Sequence, residues 1–197
     1  MNFKSIFLVA SLIFSMACSA CGPAEVETDG GQDSEEVEYP FVSWDTCSQK
    51  SGDHPCNFTL KDQHGNDVSL YDFYGDTVII DFSVMWCGPC QIAAAEVQDV
   101  SDRLKDEDFT YITILIENLA AQPPSQEDCQ GWADVYGINE PVLQGSRELL
   151  DISGESGWPL ESWPTFYFID DEMVLNTSLK GFSSSYIDML IEDTMSK

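Results

Sequence analysis

The sequence predicts an α/β domain, a mixed central sheet with helices on both faces and an N-terminal β-hairpin ahead of it. Three observations carry this. "TVIIDFSVMW", residues 77–86, is β-branched, aromatic and nearly uncharged, and it runs straight into a helical pattern after Gly88-Pro89. "FTYITILIEN", 109–118, is a second run of the same kind, so the helix between them joins a parallel pair of strands. "ESWPTFYFIDDEMVLNTSLKG", 161–181, reads as strand, turn and strand, an antiparallel closing hairpin.

The remaining elements come in order. "NFTLKDQHGNDVSL", 57–70, alternates apolar residues on both sides of the turn residues His64-Gly65-Asn66-Asp67 and reads as the hairpin. After Pro89, the residues Ile92, Ala95, Val97, Val100 and Leu104 form an apolar stripe, with Glu96, Asp99, Asp102 and Arg103 largely opposite. Residues 125–136 read as a short helix capped by Ser125 and stopped by Gly137. Residues 183–195 read as an amphipathic helix on Tyr186, Ile187, Leu190 and Ile191, capped by a serine within 183–185. The expected order is hairpin, β, α, β, α, β, β, α.

Three segments divide the 197 residues. Residues 1–21 carry a single charge, Lys4, then an apolar run from Ile6 to Ala17 of signal-peptide length, then small residues with Cys18 and Cys21. The run is too short to span a bilayer comfortably. This resembles a bacterial lipoprotein signal, in which a cysteine is lipidated and becomes the new N-terminus. Cys18, at the end of the run, is the expected site, with Cys21 as the alternative. Residues 22–40 hold seven acidic and no basic residues and little that can pack, which describes a disordered, self-repelling tether. The folded domain is expected over 41–197.

Acidic residues outnumber basic ones 35 to 8, for a net charge of −27. Phosphates repel such a chain, so nucleic acid is excluded as a partner, and so is direct docking on an anionic membrane surface. Seven cysteines are many for a chain of this size. Cytosolic proteins rarely carry so many without a metal or a redox task, and disulfides persist outside the cytoplasm. Cys47 and Cys56, with small and polar residues between them, are expected to close a loop as a structural disulfide. A metal site built from that pair and His54 lacks a fourth local ligand. Cys129 has no partner in the sequence and reads as a helix thiol.

The chemistry concentrates in "MWCGPC". A strand followed at once by Cys-x-x-Cys and a helix puts Cys87 at the helix N-terminus, beside unpaired backbone N–H groups and the positive end of the dipole. Both favour a thiolate, which is the nucleophilic form. Pro89 suits the first turn, where a missing N–H costs nothing. Cys90 lies one turn in, sheltered, and can attack a mixed disulfide formed at Cys87. Cys87 is therefore the attacking and Cys90 the resolving cysteine. A metal clip needs two more ligands at matching spacing, yet the chain has one Cys-x-x-Cys and two histidines, His54 and His64. No metal or other cofactor is expected.

"VIIDFSVMWCGPC" resembles the active-site strand and motif of the thioredoxin family. From "FTLKDQHGNDVSLYDFYGDTVIIDF" onward the chain resembles the extracytoplasmic, membrane-anchored TlpA/ResA-type redoxins, over roughly residues 57–197. The resemblance implies a thioredoxin fold and further site residues. Asp81, six positions before Cys87, matches the family's buried aspartate that relays a proton to the resolving cysteine. A carboxyl buried in an apolar strand is desolvated, so its pKa rises and it can accept the proton of Cys90 near neutral pH. Pro164 matches the family's cis-proline, and the residue before it, here Trp163, pairs through its backbone with the substrate chain. Trp163 is bulkier than the usual Thr or Val. Trp86, Gly88 and Pro89 complete the substrate-facing set, with Trp86 covering the sulfur pair. Where the family often has a lysine or glutamate near the buried acid, this chain has Thr113.

The expected activity is thiol–disulfide exchange, reducing or exchanging disulfides of extracytoplasmic, that is periplasmic, proteins from a lipid-anchored position. Gly-Pro between the cysteines resembles reducing thioredoxins. The implied partners are protein disulfides or thiols and a membrane electron donor, with no nucleic acid. A peroxiredoxin-like peroxidase needs a lone peroxidatic cysteine in a Thr-containing loop, where this strand instead runs into WCGPC. A metallochaperone or a non-catalytic binding module on this fold is the other alternative. Copper carriers of that kind add a late histidine, and none comes after His64.

Overall fold

A computed structural model describes residues 46–197. The expected signal segment, the acidic tether and the candidate lipidation sites Cys18 and Cys21 lie outside the described residues. Among the described residues, seven strands form a two-stranded hairpin and a five-stranded mixed sheet, joined by three α-helices. The hairpin pairs β1 (Thr59–Lys61) with β2 (Asp67–Ser69). Its turn is held by Asp62, whose carboxylate accepts from the backbone N–H groups of His64 and Asn66 and from the Asn66 side chain. Gly65 sits at φ 85°, a conformation glycine adopts without strain. A 310 turn, Leu70–Phe73, then leads into β3 (Thr77–Val84), buried at every position.

From β3 the chain passes through α1 (Gly88–Leu104) to β4 (Phe109–Glu117), parallel to β3. It continues through α2 (Gln126–Tyr136) to β5 (Val142–Gln144), parallel to β4. Then β6 (Thr165–Ile169) returns antiparallel to β3, and β7 (Leu175–Lys180) pairs antiparallel with β6 before α3 (Ser184–Met195). The order across the sheet is β5-β4-β3-β6-β7, which puts β3 in the middle.

Two features differ from the sequence expectation. The strand β5 has no counterpart in it: its three residues carry no readable period, and pairing with β4 alone makes them a strand. Thus α2 crosses to β5, and the closing hairpin is reached through a further segment that includes a 310 turn, Arg147–Leu149. The strand expected from residue 161 begins at Thr165, after a run of bends. Gly145, just past β5, is forced by crowding: a Cβ there would lie 2.6 Å from Ile114 Cγ2 and 2.8 Å from the Leu115 carbonyl.

One face of the sheet carries Asp81, Tyr111 and Phe166. There Tyr111 lines a small cavity with Ala93 and Val100 of α1 and Ile187 of α3, and the rings of Phe166 and Phe182 lie tilted with centroids 6.4 Å apart. The other face carries Phe82 and Tyr167, which pack on Trp158, with Phe58 edge-on to the same indole. A tryptophan with ring partners on three sides buries a large apolar area and fixes this loop against the sheet. Cys47 and Cys56 form a disulfide. The loop it closes joins the start of β7, where Gly52 N–H donates to the Leu175 carbonyl and Leu175 N–H to that of Asp53. The bridge closes the loop, and these two backbone hydrogen bonds fasten it to the sheet edge. Among the described residues no helix is long and apolar enough to cross a membrane.

Candidate active site

The site forms where β3 hands over to α1. At Ser83/Val84 the parallel ladder shifts register, so that Val84 pairs with Glu117 while Ser83 pairs with Leu115. Bulges of this kind bend a strand and re-aim the residues beyond them. Met85 N–H then donates to the Glu117 carbonyl at 2.9 Å, and Cys87 N–H to the Val84 carbonyl at 3.2 Å. The chain turns through Met85 and Trp86 and enters α1 with Cys87 as its N-cap, in an extended conformation (φ −90°, ψ 117°).

The Cys87 Sγ accepts the backbone N–H of Cys90 at 3.3 Å. It therefore takes the place that a serine or aspartate oxygen holds in an ordinary cap, facing the unpaired N–H groups of the first turn. Pro89 lies in that first turn. Gln91 reaches back from α1 to donate to the Met85 carbonyl, which braces the turn from the helix side. Both cysteines are free thiols. Cys87 keeps 7% of its surface exposed and Cys90 none, so of the two only Cys87 reaches the surface. Its neighbours Gly88 and Pro89 are exposed, and a Cβ on Gly88 would meet nothing within 4 Å, so access to the sulfur is over the Gly-Pro turn.

Asp81 lies fully buried on β3, on the α1 side of the sheet. Burial pushes its carboxyl up to about 7, and a hydrogen bond from the Ser83 hydroxyl to Oδ1 at 2.7 Å pulls the other way. Its second oxygen has no partner among the described residues, nor does the hydroxyl of Thr113, its register partner on β4. No cation among the described residues offsets the burial of this acid, which is why desolvation prevails. Burial also pushes the Cys90 thiol far above its ordinary range, and the hydrogen bond with Cys87 and the charge of Asp81 add to the rise. The two groups that would exchange a proton thus share one dry region and feel each other's charge.

The Trp163–Pro164 peptide bond is cis. The antiparallel register of β6 on β3 ends with Phe82 opposite Thr165, the residue that follows Pro164. Pro164 is buried and Trp163 half-buried. Trp86, Cys87, Gly88, Pro89 and Cys90 thus sit at the junction of β3 and α1, with Asp81 within β3, while Trp163 and Pro164 directly precede β6, the antiparallel neighbour of β3. Cys47 and Cys56 lie apart, in the loop stapled to β7. Cys129 is buried in α2, where burial pushes its thiol up to about 12, the mark of an unreactive sulfur. Among the described residues no group of three or more His, Cys, Asp or Glu side chains is placed to hold a metal.

Two residues at this site escaped the sequence reading. Glu117, at the end of β4, accepts from Trp86 Nε1 at 2.9 Å with Oε2 and from Arg147 Nε with Oε1. The signal was present as an acid closing an apolar strand run, but its partner Arg147 lies thirty residues away in a segment without a pattern.

A cysteine pair at the start of a helix that follows a central strand, with a buried acid in that strand and a cis-proline leading into the neighbouring antiparallel one, defines a thioredoxin-like redox domain. The chain belongs to the AhpC/TSA family, which it matches over residues 51–178. It is 24% identical over 137 residues to the thioredoxin-like protein YneN of Bacillus subtilis, a match covering 70% of this chain and 75% of that one. It is 22% identical over 161 residues to the thiol-disulfide oxidoreductase ResA of Halalkalibacterium halodurans, covering 80% and 84% respectively. Among solved structures it resembles the exposed lipoprotein thioredoxin Etrx1 of Streptococcus pneumoniae, with a TM-score of 0.54, 22% identity and coverage of 70% and 99%. The expected thioredoxin-like fold of the TlpA/ResA type is thus present.

Proposed function

We propose that this protein is a thiol–disulfide oxidoreductase that reduces or exchanges disulfides of extracytoplasmic proteins. The observation that carries the reading is Cys87 as the N-cap of α1, its sulfur accepting the Cys90 N–H, with Asp81 buried behind the pair. The Cys87 thiolate attacks one sulfur of a client disulfide. That S–S bond breaks, a mixed disulfide forms, and one client sulfur leaves as a thiolate that takes a proton from water. Ionised Asp81 accepts the proton of Cys90, whose sulfur then attacks Cys87. The second client thiolate departs. The client has gained two electrons, and the protein holds a Cys87–Cys90 disulfide, to be reduced by a membrane electron donor.

Trp86, Gly88, Pro89 and the Trp163–Pro164 segment are the surface that receives the client chain. Cys18, or else Cys21, carries the lipid anchor, and the acidic tether holds the domain off the membrane on the periplasmic side. Likeness to an exposed lipoprotein thioredoxin supports this placement. The test is insulin reduction with dithiothreitol, beside the Cys87→Ser/Cys90→Ser variant and with metal analysis of the purified protein. The reading expects turnover that the variant loses and no bound metal. Equal turnover in both proteins would sink it, and stoichiometric copper on the two thiols would favour a metal carrier. The family match gives peroxidase activity a hearing as a second reading. Hydrogen peroxide consumption faster than disulfide turnover would establish it.

A further inference from the structure

The turn that delivers Cys87 is gripped from the β4 side at two points by one residue. The carbonyl of Glu117 takes the Met85 N–H, and its side chain takes the Trp86 indole N–H. The register shift at Ser83/Val84 makes this possible, because it sets Val84 rather than Ser83 against Glu117. The Glu117 side chain is only 7% exposed, so its charge requires a partner. Arg147 supplies it from the 310 turn after β5, with its own side chain 65% exposed at the wall of a cavity of about 440 Å³. Both carboxylate oxygens are thus committed, one to the cation and one to the indole. An indole has a single N–H donor, so this bond fixes which way the ring is turned.

We propose that Arg147 and Glu117 are positioning residues for client capture. They lock the ring of Trp86, which is 47% exposed beside Cys87, into the orientation in which a polypeptide packs on it. This rests on the oxidoreductase reading above, in which Trp86 meets the client. A ring already held loses no rotamer freedom when the client arrives. A small disulfide, which reaches the sulfur without covering the indole, gains little from the lock.

The test compares the reduced protein's rate constants toward insulin and toward bis(2-hydroxyethyl) disulfide. Wild type, Arg147→Ala, Trp86→Phe and the double variant are measured, with Arg147→Lys as the conservative rescue. Arg147→Ala is expected to lower the insulin rate constant about tenfold more than the small-disulfide one, an effect of the size measured between coupled neighbours. In the Trp86→Phe background the same change is expected to cost less than about twofold, and Arg147→Lys to restore most of the insulin rate. Equal falls toward both substrates, or a full tenfold loss without the indole, overturns the proposal. A wild type that reduces neither disulfide defeats the oxidoreductase reading instead, so the two failures are distinguishable. Circular dichroism confirms that each variant is folded. Arg147→Ala leaves the buried Glu117 carboxylate without its cation, so rates are compared well below each variant's unfolding midpoint; partial unfolding lowers both rate constants alike, whereas loss of positioning lowers the insulin one selectively.

Discussion

Replacing Asp81 by asparagine tests the buried acid through stability as well as turnover. In the unfolded chain this carboxyl ionises near 3.8, and in the fold it keeps its proton until about 7. Below 3.8 both states are protonated, so ionisation of Asp81 takes nothing from stability. Between the two values the unfolded chain releases its proton first, and stability falls as pH rises. Above about 7 the loss is complete. The gap corresponds to about 4 kcal/mol, at about 1.36 kcal/mol for each pH unit separating the two states. The asparagine side chain cannot ionise, so Asp81→Asn escapes this loss. The assay is urea unfolding of both proteins by circular dichroism at pH 4 and at pH 8. The variant should gain about 4 kcal/mol on wild type between those conditions. For a domain of this size that is about 8 to 16 °C in melting temperature at pH 8. Other carboxylates titrate alike in both proteins and drop out of the difference. Parallel stability curves from pH 4 to pH 8 would refute the reasoning. They would mean that Asp81 ionises in the fold as easily as in the unfolded chain and has no special claim on the Cys90 proton.

The same structure sets further outcomes. Cys90→Ser should trap the mixed disulfide, giving a client adduct on a non-reducing gel that dithiothreitol releases and that Cys87→Ser never forms. The Cys47→Ser/Cys56→Ser variant should lose about 2 to 3 kcal/mol on denaturant unfolding, as expected for a short closed loop, and keep its insulin turnover below the melting point. Gly145→Ala should cost about 1 to 3 kcal/mol in the same assay, since its Cβ has to displace Ile114 or the Leu115 carbonyl. A neutral result there would mean that the segment after β5 can shift.

Much of this molecule was legible because several local signals agreed. The run 77–86 could only be a buried strand, and Gly88-Pro89 could only begin something new, so the strand-to-helix junction and its cysteine cap were readable from a short stretch of chain. Asp81 stood out as the one charge in that run. Pro164 was readable only through the family resemblance, because a cis bond leaves no mark on composition. The features that escaped depend on contacts between distant parts of the chain. Three residues at 142–144 become a strand because β4 offers an edge, and Trp158 becomes a core residue because Phe58, Phe82 and Tyr167 surround it. Neither fact has a period to detect. The Glu117–Arg147 pair escaped for the same reason: a salt bridge spanning thirty residues is invisible until the register of β3 on β4 is known.

The central claim is that the two sulfurs are unequal, one capping the helix at the rim and one sealed beneath it. Treating the reduced protein with limiting iodoacetamide at pH 7, then mapping the adducts by mass spectrometry, addresses it most directly. Alkylation should fall on Cys87 first, with Cys90 and Cys129 protected until the protein is unfolded. Labelling that begins at Cys90 or Cys129, or that divides evenly among the three, would contradict it.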